Sequence, residues 1–352
     1  MADKELILKL SDIHGVAGFE DDVREFIKTE IEPFVDEVST DPLGNLIAVK
    51  KGGGEFKLML DAHMDEVGFI VSNIERDGFI RFVPLGGWDP RIILAHLVEI
   101  KTRSGDIVQG VIGAKPPHIL TQAERRDVIP IDELFIDIGA ASRDEVIQRG
   151  VHEGDPVVIH YPAREIHDGV LVGKAFDNRV GCAMMIEIAR NLKDELPFDL
   201  YLAFTMGEEI GLRGARTVAA SVQPDIGLSL EGTIGADMPD VPERKKVTSL
   251  GKGPVITIAD KTIVVPRKMI MALEDAAREA GVPFQYKLPG FGGTNAGVIH
   301  TSGKGAVYGV VAVPARYIHS PVSLMYFSDY DASLKLVMNF LSNVDRLRGL
   351  LA

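Results

Sequence analysis

The chain has 352 residues, 46% hydrophobic and 25% charged, with a formal net charge of -13. A chain of this size and composition buries a large core without staples, which excludes disorder and collagen-like or coiled-coil architecture as its main organisation, and its length suggests two domains. The acidic balance excludes polyanions such as DNA, and anionic membrane surfaces, as natural partners.

In chain order, the N-terminal MADKELILKLSDIHG mixes charges from the start, unlike the basic start and unbroken apolar run of a signal peptide. Residues 21–34 place Val23, Phe26, Ile27, Ile31 and Phe34 at helical spacing. Asp41-Pro42-Leu43-Gly44-Asn45 reads as a turn between two strands, and 57–62 as a short buried strand. From about 66 to 165 the pattern is β-rich, with hairpins turning at Asp77-Gly78 and Ser104-Gly105-Asp106, then strand-like LFIDIGA and DPVVIHY. Short strands with Gly/Asp turns at this spacing suggest a small barrel or sandwich.

After about 170, strand and helix alternate. Helices are predicted at 179–192, 266–280 and 329–345, and strands at 199–205, 228–230 and 306–314. Alternation of this kind argues for an α/β domain with a mostly parallel or mixed sheet flanked by helices. The expected domains are therefore an α/β domain of residues 1–65 and 166–352, with a β-barrel-like insert at 66–165. No stretch approaches the roughly 18 apolar residues of a membrane span. The single cysteine, Cys182, cannot form an internal disulfide and reads as a small buried apolar residue. A cytoplasmic protein is expected.

Chemistry-bearing residues collect at predicted strand ends, where open α/β sheets build their sites. His63 follows the strand KLML in Asp61-Ala62-His63-Met64-Asp65. Taken alone this is a solvated polar turn; alternatively His63 ligates a metal and Asp65 orients its ring. Asp177 opens a predicted helix, either as an N-cap or as a carboxylate able to bridge two cations. Strand YLAFTM runs into Gly207-Glu208-Glu209. Adjacent carboxylates after a buried strand repel each other, so near an interior they require cations or protons. Either this is an exposed acidic loop, or Glu209 binds metal and Glu208 accepts a proton from an activated water. Glu231 ends the strand GLSL, and His319 follows the apolar strand 306–314. Together these residues suit two zinc- or cobalt-like ions with mixed nitrogen and oxygen ligation.

Other motifs are absent or bland. There is no P-loop and no G-x-S-x-G elbow, and His152-Glu153 lacks the second histidine of H-E-x-x-H. Gly52-Gly53-Gly54 and Arg125-Arg126 read as loops. Gly290-Phe291-Gly292-Gly293, after strand-like FQYKL, is either an anion-cradling turn or a plain strand–helix turn.

The clusters, in this order, resemble the di-metal aminopeptidases of the glutamyl aminopeptidase, or tetrahedral (TET), family. The resemblance runs through DAHMDEVGF at 61–69, GVIGAKPPH at 110–118 and KAFDNRVGC at 174–182, then EEIGLRGA at 208–215, GGTNAG at 292–297 and ARYIHSP at 315–321. It implies removal of N-terminal residues from short peptides by a water activated between two divalent ions, zinc or cobalt. His63 and His319 would each ligate one ion and Asp177 would bridge them. Glu209 would join the ion of His63, and Glu231 the ion of His319. Glu208 would be the general base, and Asp65 would orient His63. The peptide bond after Asp177 is often cis in such sites.

The resemblance further implies that the β-rich insert supplies no metal ligand and mediates assembly of dimers into a homo-dodecamer. Part of the negative charge would then face an internal chamber. Two positions depart from the family pattern. Glu231 stands where Asp is common, a change that in related di-zinc enzymes accompanies carboxypeptidase or N-acyl amino-acid deacylase activity. Asn295 stands where GGTDAG has Asp. Some relatives have been labelled endoglucanases, but 7% aromatics and one tryptophan offer little for sugar stacking. A non-catalytic chambered assembly protein is a further alternative, against which the complete ligand set argues.

Overall fold

The computed structural model describes residues 2–122, 124–192 and 195–352. Among these, eleven strands form one mixed sheet and six form a closed barrel. The centre of the sheet is parallel. The strand Lys57–His63 lies between Asp199–Thr205 and Ile226–Gly235, parallel to both, and Ile226–Gly235 continues in parallel to Val307–Arg316. These strands are apolar and buried on both faces, as parallel strands covered by helices must be. Their C-terminal ends all point the same way, and the candidate residues stand there.

The sheet edges are antiparallel. The turn at 41–45 joins Glu37–Thr40 to Leu46–Lys50 as expected, and Leu46–Lys50 pairs with Asp199–Thr205. At the other edge Ser323–Tyr326, Val170–Gly173 and Arg164–His167 add short strands that the sequence pattern did not signal. They are four residues long, too short for a clear alternation.

The helix Phe176–Asn191 is buried on almost every side and packs against the strands Lys57–His63 and Ile226–Gly235. That explains why its apolar residues do not form one stripe. Gly181 permits the close approach: a Cβ there would stand 2.2 Å from the Leu230 carbonyl oxygen. The predicted helix at 21–34 is helical over Asp21–Ile31 and finishes as a 3-10 turn containing Pro33. The one predicted at 329–345 is two helices, Phe327–Ser342 and Val344–Leu351, because Asn343 leaves helical geometry and caps the second.

The barrel runs Gly68–Ile74, Ile80–Leu85, Phe135–Asp137, Ile107–Gly113, Leu97–Lys101, Pro156–Ile159 and closes back on Gly68–Ile74. Both expected hairpin turns are present. Phe69, Phe82, Ile100, Ile112, Ile136 and Val157 form a core separate from that of the large sheet. No helix among the described residues is long and apolar enough to cross a membrane.

Candidate metal centre

His63 is the last residue of its strand and is 2% exposed. Its Nδ1 lies 3.1 Å from the Asp65 carbonyl oxygen and 3.3 Å from Asp65 Oδ1. Nδ1–H therefore has acceptors that fix the ring, leaving Nε2 turned toward the cavity. Asp65 also anchors the acidic loop. Its Oδ1 accepts the Glu208 backbone N–H at 2.9 Å and its Oδ2 that of Glu209 at 3.0 Å. One fully buried carboxylate thus orients the imidazole and both glutamates.

Asp177 lies in the first turn of its helix with non-helical backbone angles, and its peptide bond to Asn178 is cis. The residue before the helix makes no side-chain cap, and Asp177 accepts no backbone N–H among the described residues, so the capping alternative is not realised. Its two oxygens face different imidazoles. Oδ1 is 3.4 Å from His63 Nε2, and Oδ2 is 3.7 Å from His319 Nε2.

Glu231 Oε2 lies 3.7 Å from His63 Nε2, whereas Glu209 Oε1 lies 3.2 Å from His319 Nε2. Three possible ligand groups result, His63–Asp177–Glu231, Asp177–Glu209–His319 and His63–Glu208–Glu209, each with ligand atoms within 4.8 Å of one another. The expected pairing joined Glu209 to His63 and Glu231 to His319; the nearest imidazole approaches are the exchanged ones, although one group also sets Glu209 beside His63. The reason lies in strand register. Ser229 is the last residue to pair, with Asp61, and Glu231 and His63 each lie two residues further along their strands. Glu209 sits four residues past its strand and reaches across to His319.

Electrostatics make this cluster unsatisfied by protein alone. Burial favours the neutral form of Glu208, Glu209 and Glu231. Glu208 is pushed up to about 8, against His63 and with the help of Glu209, Asp65 and Asp177. Glu209 is raised as well, and Glu231 is raised well above the usual range. Burial would lower both imidazoles, but the carboxylates outweigh it. His63 is raised well above its ordinary value and His319 to about 9. Asp177 is pushed up by burial yet lies below its ordinary value because of His63, His319 and Lys287. Every imidazole and most carboxylates thus hold protons more tightly than usual, as a buried site short of positive charge requires. Glu231 Oε1 is buried without a hydrogen-bond partner. An orphaned carboxylate oxygen among oxygen and imidazole donors fits a divalent cation.

The site opens on a cavity of about 690 Å³ that takes in His63, Asp177, Glu208, Glu209, Glu231 and His319 together. Four residues that sequence reasoning missed shape it. Asn178 donates to the Leu230 carbonyl at 2.8 Å and to Glu231 Oε2 at 2.7 Å, fixing the glutamate. Glu20 accepts the Gly207 N–H at 3.0 Å and so holds the acidic loop from behind. The Gly87 carbonyl accepts from His319 Nδ1 at 3.2 Å, so the barrel segment orients one imidazole. Lys287 lines the cavity and is 4% exposed. Contacts across 50 to 230 positions leave no local signal. Only Lys287, in FQYKL before the glycine loop, was within reach of a motif.

Other flagged residues fall elsewhere. Lys174 and Arg179 are buried beneath the site with Glu66, and Arg316 pairs with Asp237 at 2.7 Å. Asn295 is fully buried, donates to Asp61 and Thr205, and does not line the cavity. Cys182 is buried, and burial raises its thiol to about 12.

The same architecture recurs in known proteins. A TET aminopeptidase from the marine sediment archaeon Thaumarchaeota archaeon SCGC AB-539-E09 is 37% identical, with a TM-score of 0.95 over 98% of each chain. The Pyrococcus horikoshii TET1 peptidase, which can assemble into a tetrahedron or a large octahedral shell, is 32% identical, with a TM-score of 0.85 over 96% of this chain and 98% of that one. A lysyl aminopeptidase of Pyrococcus furiosus is 33% identical over 98% of both chains. Residues 44–336 match the M42 glutamyl aminopeptidase family. The chain belongs to that family and is a metallo-aminopeptidase.

Proposed function

We propose that the chain removes N-terminal residues from short peptides, using two divalent ions, zinc or cobalt. His63, Asp177 and Glu231 would hold one ion and Asp177, Glu209 and His319 the other. When bound, such ions activate water and polarise the scissile carbonyl. The observation that supports the reading is the pair of triads sharing Asp177; Glu208, which forms a third possible group with His63 and Glu209, is not needed by either.

Glu208 is the proposed general base. It accepts a proton from the attacking water and returns it to the leaving amine. A carboxyl whose proton affinity lies near neutrality can do both. Asp65 is a positioning residue, because it holds His63 and the backbone of Glu208 and Glu209 in one frame. The Gly87 carbonyl does the same for His319.

Residues 1–65 and 166–352 form the proposed catalytic domain, and 66–165 the assembly domain. Leu97, Ile107, Ile119 and Val128 are exposed apolar residues of the latter, the kind of surface that subunit contacts cover. A particle twelve times the 38.3 kDa chain, measured by light scattering, is the expected assembly.

The reaction is tested with a mixed peptide pool, its N-acetylated version and its C-amidated version, read by mass spectrometry. Stepwise N-terminal trimming that acetylation blocks and amidation spares is expected. Loss of C-terminal residues, or of the acetyl group, would contradict the aminopeptidase reading. It would then transfer the assignment to the carboxypeptidase or deacylase alternative suggested by Glu231.

A further inference from the structure

Asp61 is fully buried two residues before His63, and the proposed mechanism does not use it. Its partners among the described residues are neutral. Ser229 and Tyr308 both donate hydroxyls to Oδ1, at 2.5 and 2.7 Å, and Asn295 donates its amide to Oδ2 at 2.9 Å. A carboxyl that accepts from three donors and has no cation beside it is a buried anion without compensation. Glu66, by contrast, meets both Lys174 and Arg179. Burial raises Asp61 above its ordinary value, against the pull of Ser229, Tyr308, Asn295 and His63, which is the cost of that arrangement.

The carboxylate stands under one triad. Alternate residues of a strand share a face, so Asp61 lies below His63 and Ser229 lies below Glu231. Ser229 with Asp61 is the last pair of the ladder between those two strands. Asn295 is the neutral half of the arrangement. It is fully buried, its Nδ2 bonds Asp61 and also Thr205 Oγ1 at 2.8 Å, and its Oδ1 has no partner. An aspartate at 295 would set two buried carboxylates at hydrogen-bond distance. Asparagine there leaves the group one carboxylate, at position 61.

Building on the two-ion reading, we infer that Asp61 is a positioning residue that acts through its charge: it is the buried anion beneath His63, Asp177 and Glu231, and it strengthens the hold of that triad on a divalent ion without ligating it. The uncompensated charge is costly in the metal-free chain and is offset when a cation occupies the triad. Asn295 makes this possible, because it binds the carboxylate and adds no second charge.

Two variants of the full-length chain separate charge from hydrogen bonding. In Asp61→Asn the new amide oxygen can keep Ser229 and Tyr308, which share one oxygen now. Its amino group then faces Asn295, whose amide can turn over to offer the unpaired Oδ1. The turn exchanges one unpaired atom for another, so the bonds survive and only the charge is lost. In Asp61→Asn with Asn295→Asp the charge returns, displaced by one hydrogen bond.

Zinc binding is read by equilibrium dialysis with elemental analysis, and stability by melting the metal-free protein. For Asp61→Asn one of the two zinc dissociation constants is expected to weaken by about tenfold to a hundredfold, the usual cost of losing a group that supports a ligand. The other should change far less. Metal-free Asp61→Asn should melt higher than the wild type, because a buried uncompensated charge is gone. The double variant should regain most of the zinc affinity. An Asp61→Asn protein that binds both ions like the wild type would overturn the inference. So would one that melts lower without metal, since that marks a structural role, and so would a double variant that stays as weak as Asp61→Asn. A wild type that binds no zinc at either triad would overturn the two-ion reading instead, and the metal-free melting comparison would still decide whether Asp61 is an uncompensated charge.

Discussion

Two groups of buried charge hang from the same stretch of chain. His63 lines the cavity and Asp65 backs it from within, while the alternate residues Met64 and Glu66 face the core. On the core side Lys174 Nζ lies 2.6 and 2.8 Å from the two Glu66 oxygens. Arg179 donates to the Met64, Leu10 and Ile13 carbonyls at 2.7, 2.6 and 2.9 Å, and to Glu66 at 3.3 Å. That group is closed and its polar atoms are paired. On the cavity side, Asp65 and four further carboxylates face two imidazoles, and Glu231 Oε1 has no partner. Burial of charge alone therefore does not mark a site. Imbalance, an orphaned oxygen and an opening do.

The contrast is broken most severely on the cavity side. His63→Ala is expected to lose bound metal and peptidase activity together, measured by elemental analysis and anilide hydrolysis. A fully metallated, active variant would remove His63 from the ligand set. Glu208→Gln should keep its ions and lose about 10²–10⁴-fold in turnover, the usual contribution of a general base. Turnover near that of the wild type would remove Glu208 from the mechanism.

On the core side the expected effect is on stability. Glu66→Gln leaves two buried cations without their carboxylate and should cost about 3–5 kcal/mol in urea unfolding of the metal-loaded protein. An unchanged midpoint would mean that the closed group is not structural.

A subtler consequence concerns pH. Without ions, Glu208 moves from 4.5 when unfolded to about 8 when folded, and His319 from 6.5 to about 9. Both folded values are raised, so the folded chain holds more protons. Their contribution is complete below the unfolded values and is lost as pH rises through about 8 and 9. Metal-free protein should therefore lose stability between pH 5 and 9. Ion loading should flatten that slope, because cations replace the protons. A metal-free melting temperature that rises over this range would contradict the charge imbalance.

Much of this was legible beforehand because it is local. Period-2 runs broken by Asp77-Gly78 and Ser104-Gly105-Asp106 gave the hairpins, and apolar runs ending in His63 and Glu208-Glu209 gave the strand ends that carry the site. The proposed partition of ligands was not legible, since it rests on distances between strands that pair as Ser229 with Asp61 does, across 168 positions. Nor was the fate of the basic residues. Lys174 and Arg179 stand inside a site motif, yet they turn into the core, while Lys287, outside those motifs, faces the cavity. Asn295 similarly belongs to the hydrogen-bonded floor around Asp61 and not to the pocket. Side-chain direction on a packed element is set by neighbours remote in sequence, which periodicity does not encode.

The central claim is a two-ion centre with shared Asp177. Anomalous diffraction at the zinc edge from zinc-soaked crystals tests it most directly. Two peaks per chain are predicted, one among His63, Asp177 and Glu231 and one among Asp177, Glu209 and His319. A single peak, or zinc bound elsewhere with both triads empty, would contradict it.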